Sequence, residues 1–168
     1  MKMIKTKEGY AFENAQIIFS NFSGRPDKYN AEGRRNFCII IDSPEDAERL
    51  MNEGWNVKTL RPRDEGDEPQ HYIQIKVALG SRRPPHIYMM TRKAKIVINE
   101  DRIDNLDNAD IISADAVVRP YEWEPGRISA YLQELYVTIA EDYFGEKYAK
   151  YDDPDAIGPS EDDDELPF

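Results

Sequence analysis

The stretch His71-Tyr-Ile-Gln-Ile-Lys-Val-Ala-Leu79 decides the architecture, because its residues alternate without a break. Ile73, Ile75, Val77 and Leu79 fall on one face and Tyr72, Gln74, Lys76 and Ala78 on the other, the period of two that a half-buried β-strand requires. The apolar face turns inward. The opposite face then displays a ring and a base, Tyr72 and Lys76, the pairing a stacking platform needs.

Strand patterns continue on both sides of it. Upstream, residues 15–22 (Ala-Gln-Ile-Ile-Phe-Ser-Asn-Phe) read as a first strand with both faces partly apolar, and residues 36–41 as a second, largely buried one. Between them the turn-forming residues 23–34 carry Arg25, Lys28, Tyr29 and Arg34 and lead into Arg35 and Phe37, a pattern shared by a plain surface loop and a nucleic-acid contact. One helix is well specified: Ser43 is its N-cap, Pro44 its first residue, Glu45 and Asp46 its acidic first turn, and Gly54 its stop. After it, residues 55–62 form a third strand with Val57 and Leu60 toward a core and Lys58 and Arg61 on a basic side. Trp55 fits either core packing or base stacking.

Downstream, residues 80–85 turn the chain and add Arg82 and Arg83, and residues 86–91 and 95–98 form a hairpin with Arg92 and Lys93 at its tip. Asn99 caps a short helix through Leu106. Residues 111–119 and 128–140 are the last long segments, the latter compatible with strand or helix, and the connector between them interleaves Arg119, Tyr121, Trp123 and Arg127. Residues 1–14 are mixed and are expected to form a partly ordered N-terminal extension.

The composition suits one domain with appendages: 168 residues, 40% hydrophobic, with a formal net charge of -11. That charge is concentrated at the end. Residues 141–168 hold 11 acids and two bases, leaving 22 acids and 20 bases in the body, which is near neutral and free to present a one-sided basic face. The last residues, Ser160-Glu-Asp-Asp-Asp-Glu-Leu-Pro-Phe168, join five consecutive acids to an apolar tip with a carboxylate, suited to a pocket with a basic rim; a solubilising terminus is the plainer reading.

Several chemistries find no support. Cys38 is the sole cysteine, so no internal disulfide forms and a reducing, cytoplasmic setting is expected; no apolar run approaches the ~20 residues of a membrane span. His71 and His86 are separated from Cys38, and no phosphate-binding glycine loop occurs. Asp101 and Asp104 either solvate a helix or hold a metal, without a companion spacing that favours catalysis. The expectation is a non-enzyme without cofactor.

Basic paths with interleaved rings are the means of a single-strand binder, and the OB-fold supplies such a face and loops. Asn21-Phe-Ser-Gly-Arg-Pro-Asp-Lys-Tyr-Asn30, Arg35-Asn-Phe-Cys38, Gly54-Trp-Asn-Val-Lys58, Arg119-Pro-Tyr-Glu-Trp123 and the Pro-Phe tip together resemble phage-encoded single-stranded DNA-binding proteins. The resemblance implies a mainly β fold with minor α, an OB-fold-like five-stranded Greek-key barrel with insertions over residues 15–148, and a disordered acidic tail over residues 149–168. The helix between the second and third strands departs from the common order. The implied DNA contacts are Arg25, Lys28, Tyr29, Arg34, Arg35, Phe37, Trp55, Lys58, Arg61, Tyr72 and Lys76, with Arg82, Arg83, Arg92, Lys93, Arg119, Tyr121 and Trp123 added from the later connectors. Asp162, Asp163, Asp164, Glu165, Leu166, Pro167 and Phe168 would recruit replication or recombination proteins and compete with DNA. The expected function is sequence-tolerant single-stranded DNA binding in phage replication, recombination or repair, by a monomer or a homo-oligomer. The alternative is an acidic interaction module or DNA mimic that binds a host protein.

Overall fold

A computed structural model describes residues 1–140, apart from Tyr29 and Arg63, together with the short strand Ala156–Ile157. Among the described residues eleven strands join in one sheet: β1 (Lys2–Lys5), β2 (Tyr10–Ala15), β3 (Ile17–Asn21), β4 (Arg35–Ile41), β5 (Val57–Leu60), β6 (Gln70–Val77), β7 (His86–Met90), β8 (Lys95–Ile98), β9 (Ile111–Glu124), β10 (Arg127–Ile139) and β11 (Ala156–Ile157). The one α-helix among the described residues is α1 (Pro44–Glu53), and Ile103–Asp107 form a 3₁₀ turn.

The fold is mainly β, as expected, and its strand path closes on itself. The order is β1-β2-β9-β10-β6-β4-β3, and only Gln16 separates β2 from β3, so the two are halves of one bent strand that pairs with β9 at one end and β4 at the other. The bend falls at Asn14, held at φ 55° inside a register shift between Phe12 and Ala15. Asparagine tolerates this left-handed conformation better than most residues, and the Asp115 carboxylate accepts its backbone N–H at 2.7 Å. Counting β2–β3 as one, the bent strand, β4, β6, β9 and β10 are five barrel strands, with only the β6–β10 contact parallel within that ring. This arrangement is compatible with an OB-type barrel. The insertions are α1 with β5 between β4 and β6, and β7, β8 and the 3₁₀ turn between β6 and β9.

Several boundaries differ from the sequence reading, and the helix expected from Asn99 is the 3₁₀ turn Ile103–Asp107 with Arg102 at its N-cap. Residues 1–14 are not an extension: they supply β1 and β2, and Tyr10 and Phe12 are wholly buried. Apolar residues at spacing two were present there, but the segment gains its partner, β9, only from a hundred residues away. The connector at residues 119–127 is a hairpin, since β9 runs through Glu124 and β10 starts at Arg127. Within the expected disordered tail, Ala156–Ile157 pair antiparallel with β8 at Ile96 and Lys95, where an unpaired edge offers backbone groups. The remaining expectations on residues 141–168 lie outside the described residues.

The core joins inward residues of the barrel strands: Phe37, Ile39 and Ile41 from β4; Ile73, Ile75 and Val77 from β6; Ala114, Ala116 and Val118 from β9; Leu132, Leu135 and Val137 from β10. The helix buries Ala47 and Leu50 against it. Its start follows the cap chemistry: Ser43 Oγ accepts the Asp46 N–H at 3.3 Å, while acids at the N-terminal turn complement the helix dipole. Its end sits against the β9–β10 turn. Gly54 adopts φ 98°, and a Cβ there would lie 2.4 Å from the Gly126 carbonyl oxygen, while its own carbonyl accepts the Ile128 N–H at 2.8 Å. The Gly54→Ala variant is therefore expected to lose at least about 1–2 kcal/mol from the left-handed conformation alone, with urea unfolding showing a lower midpoint at unchanged slope.

Candidate nucleic-acid interface

The outward side of the barrel strands carries a row of rings. Register places Tyr72, Gln74 and Lys76 of β6 beside Ile40, Cys38 and Asn36 of β4, and Tyr131 of β10 beside Lys76. Arg119 and Tyr121 of β9 stand opposite Tyr131 and Ser129. Two clefts lie on this side and meet at Gln74.

The larger cleft, about 770 Å³, runs from Phe19 and Tyr72 to the loop at Arg25, with Lys58 on its wall. Phe19 is a large apolar side chain 61% exposed, at φ 50° in a register shift of the edge strand β3. A non-glycine residue there costs about 1–2 kcal/mol. The bulge turns the ring outward, where it meets Tyr72 edge-on at 5.6 Å between centroids and 71° between planes. Lys58 stands opposite Tyr72 in the β5–β6 register.

The smaller cleft, about 210 Å³, is lined by Lys76, Tyr121, Trp123, Ser129 and Tyr131, with Asn56 and Gln74. Tyr121 and Tyr131 repeat the edge-on geometry at 5.6 Å and 70°. Lys76 Nζ lies 5.7 Å from the Tyr131 ring centre, and the Arg127 guanidinium 5.6 Å from that of Trp123. Tyr121 and Trp123 are 57% and 51% exposed, so rings of a size usually buried are held in the open.

The loop of residues 22–34 is braced before any ligand arrives. Asn21, nearly buried, donates to the Arg25 carbonyl and accepts the Arg25 N–H, both at 2.9 Å. Asn30 donates to the carbonyls of Arg25, Ala31 and Arg34, and Asn36 donates to Asn30. The Asp107 carboxylate accepts the N–H groups of Phe22 and Ser23 at 2.7 and 2.9 Å. Arg25, Lys28 and Arg34 are exposed on this frame.

The remaining expected contacts divide. Phe37 is fully buried and stacks on Phe22 at 5.2 Å; Trp55 is 5% exposed and meets Tyr10 edge-on at 5.8 Å. Both are core residues, because their strand or helix-end positions face the barrel interior. Arg35 stands opposite Val77 on the inward side, its Nε enclosed without a hydrogen-bond partner among the described residues. Arg83 is held by Glu8 in a two-bond pair at 2.9 and 3.0 Å, and its own carbonyl accepts the Arg119 guanidinium at 3.3 Å. The same pair holds the Glu8 carboxyl below its ordinary pKa and the Arg83 guanidinium above. Arg61 lies among Asp64, Asp67 and Glu68, and Arg82 is exposed in the turn after β6. Arg92 and Lys93 occupy the β7–β8 tip and line neither cleft. Tyr29 and the tail residues Asp162 to Phe168 lie outside the described residues. Phe19, Gln74 and Tyr131 line the clefts and are not among the expected contacts. The alternation of Tyr131 with Ala130 and Leu132 carried a signal for one of them.

Burial pushes the thiol of Cys38, on the cleft floor, up to about 11, which favours the protonated form. A hollow on the outer side of α1 is lined by Glu45, Glu48, Arg49, Asn52 and Glu53 and is too acidic for phosphate. Among the described residues no group of three or more potential ligands is placed to hold a metal ion, and no helix is long and apolar enough to cross a membrane.

A family model described as "Putative phage ssDNA-binding domain" matches residues 1–164. The chain belongs to this family. The match makes the barrel and nearly all that follows it a phage ssDNA-binding domain, in agreement with the resemblance carried by the loop and hairpin motifs. Among solved structures, the chain is similar to the single-stranded DNA-binding protein from bacteriophage Enc34 in complex with ssDNA, at 13% identity and a TM-score of 0.49 over 81% of this chain and 89% of that one. The C-terminal truncation of the Enc34 protein gives 12% identity and a TM-score of 0.47 over 84% and 97%. No curated protein sequence matches the chain.

Proposed function

We propose that this phage ssDNA-binding domain binds single-stranded DNA with little sequence specificity across the two clefts. The observation that carries the reading is the pair of edge-on ring couples, Phe19–Tyr72 and Tyr121–Tyr131, spaced along one basic side of the barrel. Every base has a face to stack, so rings confer affinity without choosing a sequence. Arg25, Lys28, Arg34, Lys58 and Lys76 follow the phosphates. The location agrees with the way OB barrels use their second and third strands and the loops beside them; here these are β4, β6, the loop of residues 22–34 and the β9–β10 hairpin.

The C-terminal segment supplies the regulation. Its acids, covalently joined to the barrel, compete with DNA at high local concentration, and the Leu166-Pro167-Phe168 tip engages replication or recombination proteins of the host or phage. The protein is not an enzyme in this reading and works in the cytoplasm of the infected cell.

A fluorescent oligonucleotide titrated with the full chain and with a chain ending at Tyr151, at several salt concentrations, tests both parts. Five phosphate contacts at about 0.7 each predict a slope of log affinity against log salt of about −3.5. The truncated chain is expected to bind more tightly, most clearly at low salt. Equal affinity for both chains would remove the competition by the tail; no binding by either would move the assignment to an acidic module that binds a host protein.

A further inference from the structure

Gln74 occupies the one position shared by both clefts, between the cleft that holds Phe19 and Tyr72 and the one that holds Tyr121 and Tyr131. Two of its neighbours across the strands are small, and Asn56, just before β5, lines the smaller cleft with it. Cys38 stands opposite it on β4, and on β10 Ser129 precedes Ala130, the partner of Ile75, and lines the same cleft. The row Cys38–Gln74–Ser129 is therefore a low notch between the rows that carry Tyr72 and Tyr131, closed at one end by Tyr121 opposite Ser129. Asn21, Asn30 and Asn36 are engaged in bracing the loop. Among the described residues no hydrogen bond engages the Gln74 carboxamide, which is half-buried on the floor.

We propose that Gln74 receives the hydrogen-bonding edge of one nucleobase in this notch, and that the carboxamide is what keeps the subsite tolerant of all four bases. The inference rests on the reading of this side as a single-stranded DNA interface. A carboxamide presents one acceptor and two donor hydrogens on adjacent atoms, and half a turn about its last bond exchanges them. Each unpaired base offers an adjacent donor and acceptor on its Watson–Crick edge: N3–H with a carbonyl in thymine, N4–H with N3 in cytosine, N6–H with N1 in adenine, and N1–H with O6 in guanine. One orientation or the other of Gln74 meets every one of them. A carboxylate in its place only accepts, and the edge that matches two acceptors is the N1–H and N2–H pair of guanine.

The test uses full-length protein and four probes of equal length: oligo-dT, oligo-dA, oligo-dC and an alternating dG–dT oligonucleotide, with thermal melting followed for each variant. Gln74→Leu is expected to weaken binding to all four together, by about three- to tenfold, the worth of one neutral hydrogen bond. Gln74→Glu is expected to weaken binding generally through its charge, and to raise the ratio of dG–dT to dT affinity by about three- to tenfold over the wild-type ratio. Wild-type affinities and ratios in both variants would overturn the role of Gln74 while leaving the interface in place. Failure of the wild-type protein to bind any probe would overturn the interface itself, and the subsite with it.

Discussion

The Tyr72→Ala, Tyr121→Ala double variant is expected to bind a single-stranded oligonucleotide roughly 30- to 25,000-fold more weakly than the wild type. In the proposed binding mode each ring stacks one base, and the loss per ring on truncation is about 1–3 kcal/mol. The rings sit in different clefts, each coupled to its own partner, Phe19 or Tyr131, so their contributions add. Folding is little affected at Tyr121, which is 57% exposed, and more at Tyr72, which is half-buried. Fluorescence anisotropy measures the loss, and circular dichroism melts of the same samples confirm that the barrel persists. Affinity within twofold of wild type in a folded double variant would show that these rings are not the platform.

Trp55→Ala is expected to act on stability instead, lowering it by about 3–5 kcal/mol, the usual cost of emptying a buried aromatic site. Trp55 fills the space between the helix end and Tyr10, whose own hydroxyl is bonded to Glu53 and is pushed up to about 12 by burial and that carboxylate. The chain has two tryptophans, which allows a sharper measurement than melting. In Trp123→Phe the remaining emission comes from Trp55 and is expected to be unmoved by added oligonucleotide. In Trp55→Phe it comes from Trp123, at the mouth of the smaller cleft, and quenching is expected. Quenching in Trp123→Phe would return Trp55 to the interface.

These two residues mark the limit of what residue type reveals. Trp55 and Trp123 sit in similar local sequences, each an aromatic near a turn with a base a few residues on. One packs on Tyr10 because β2 and the helix end converge over it; the other stands free because the β9–β10 hairpin extends beyond the core. Aromatic rings lower the free energy of a core and of a stacking platform by the same contact area, so type alone does not choose between them. Phe37, expected as a DNA contact, is a core residue for the same reason. Arg83 had the charge for a phosphate contact, yet Glu8, distant in sequence, comes close enough to hold it.

The sequence by itself determined whatever local periodicity and backbone chemistry control. The alternation of β6, the Ser43 cap, the Gly54 stop and the β7–β8 turn required no distant partner, and each formed where its residues placed it. Tertiary structure decided what depends on closure of the ring. The bent β2–β3 strand joins β9 to β4, which buries Tyr10 and Phe12 and draws the first residues of the chain into the domain. The bulge at Phe19 is a compromise between pairing with β4 and continuing the bend, and it is this compromise that turns a ring onto the outer side. Pairing between distant strands is a property of the whole barrel, and no window of sequence contains it.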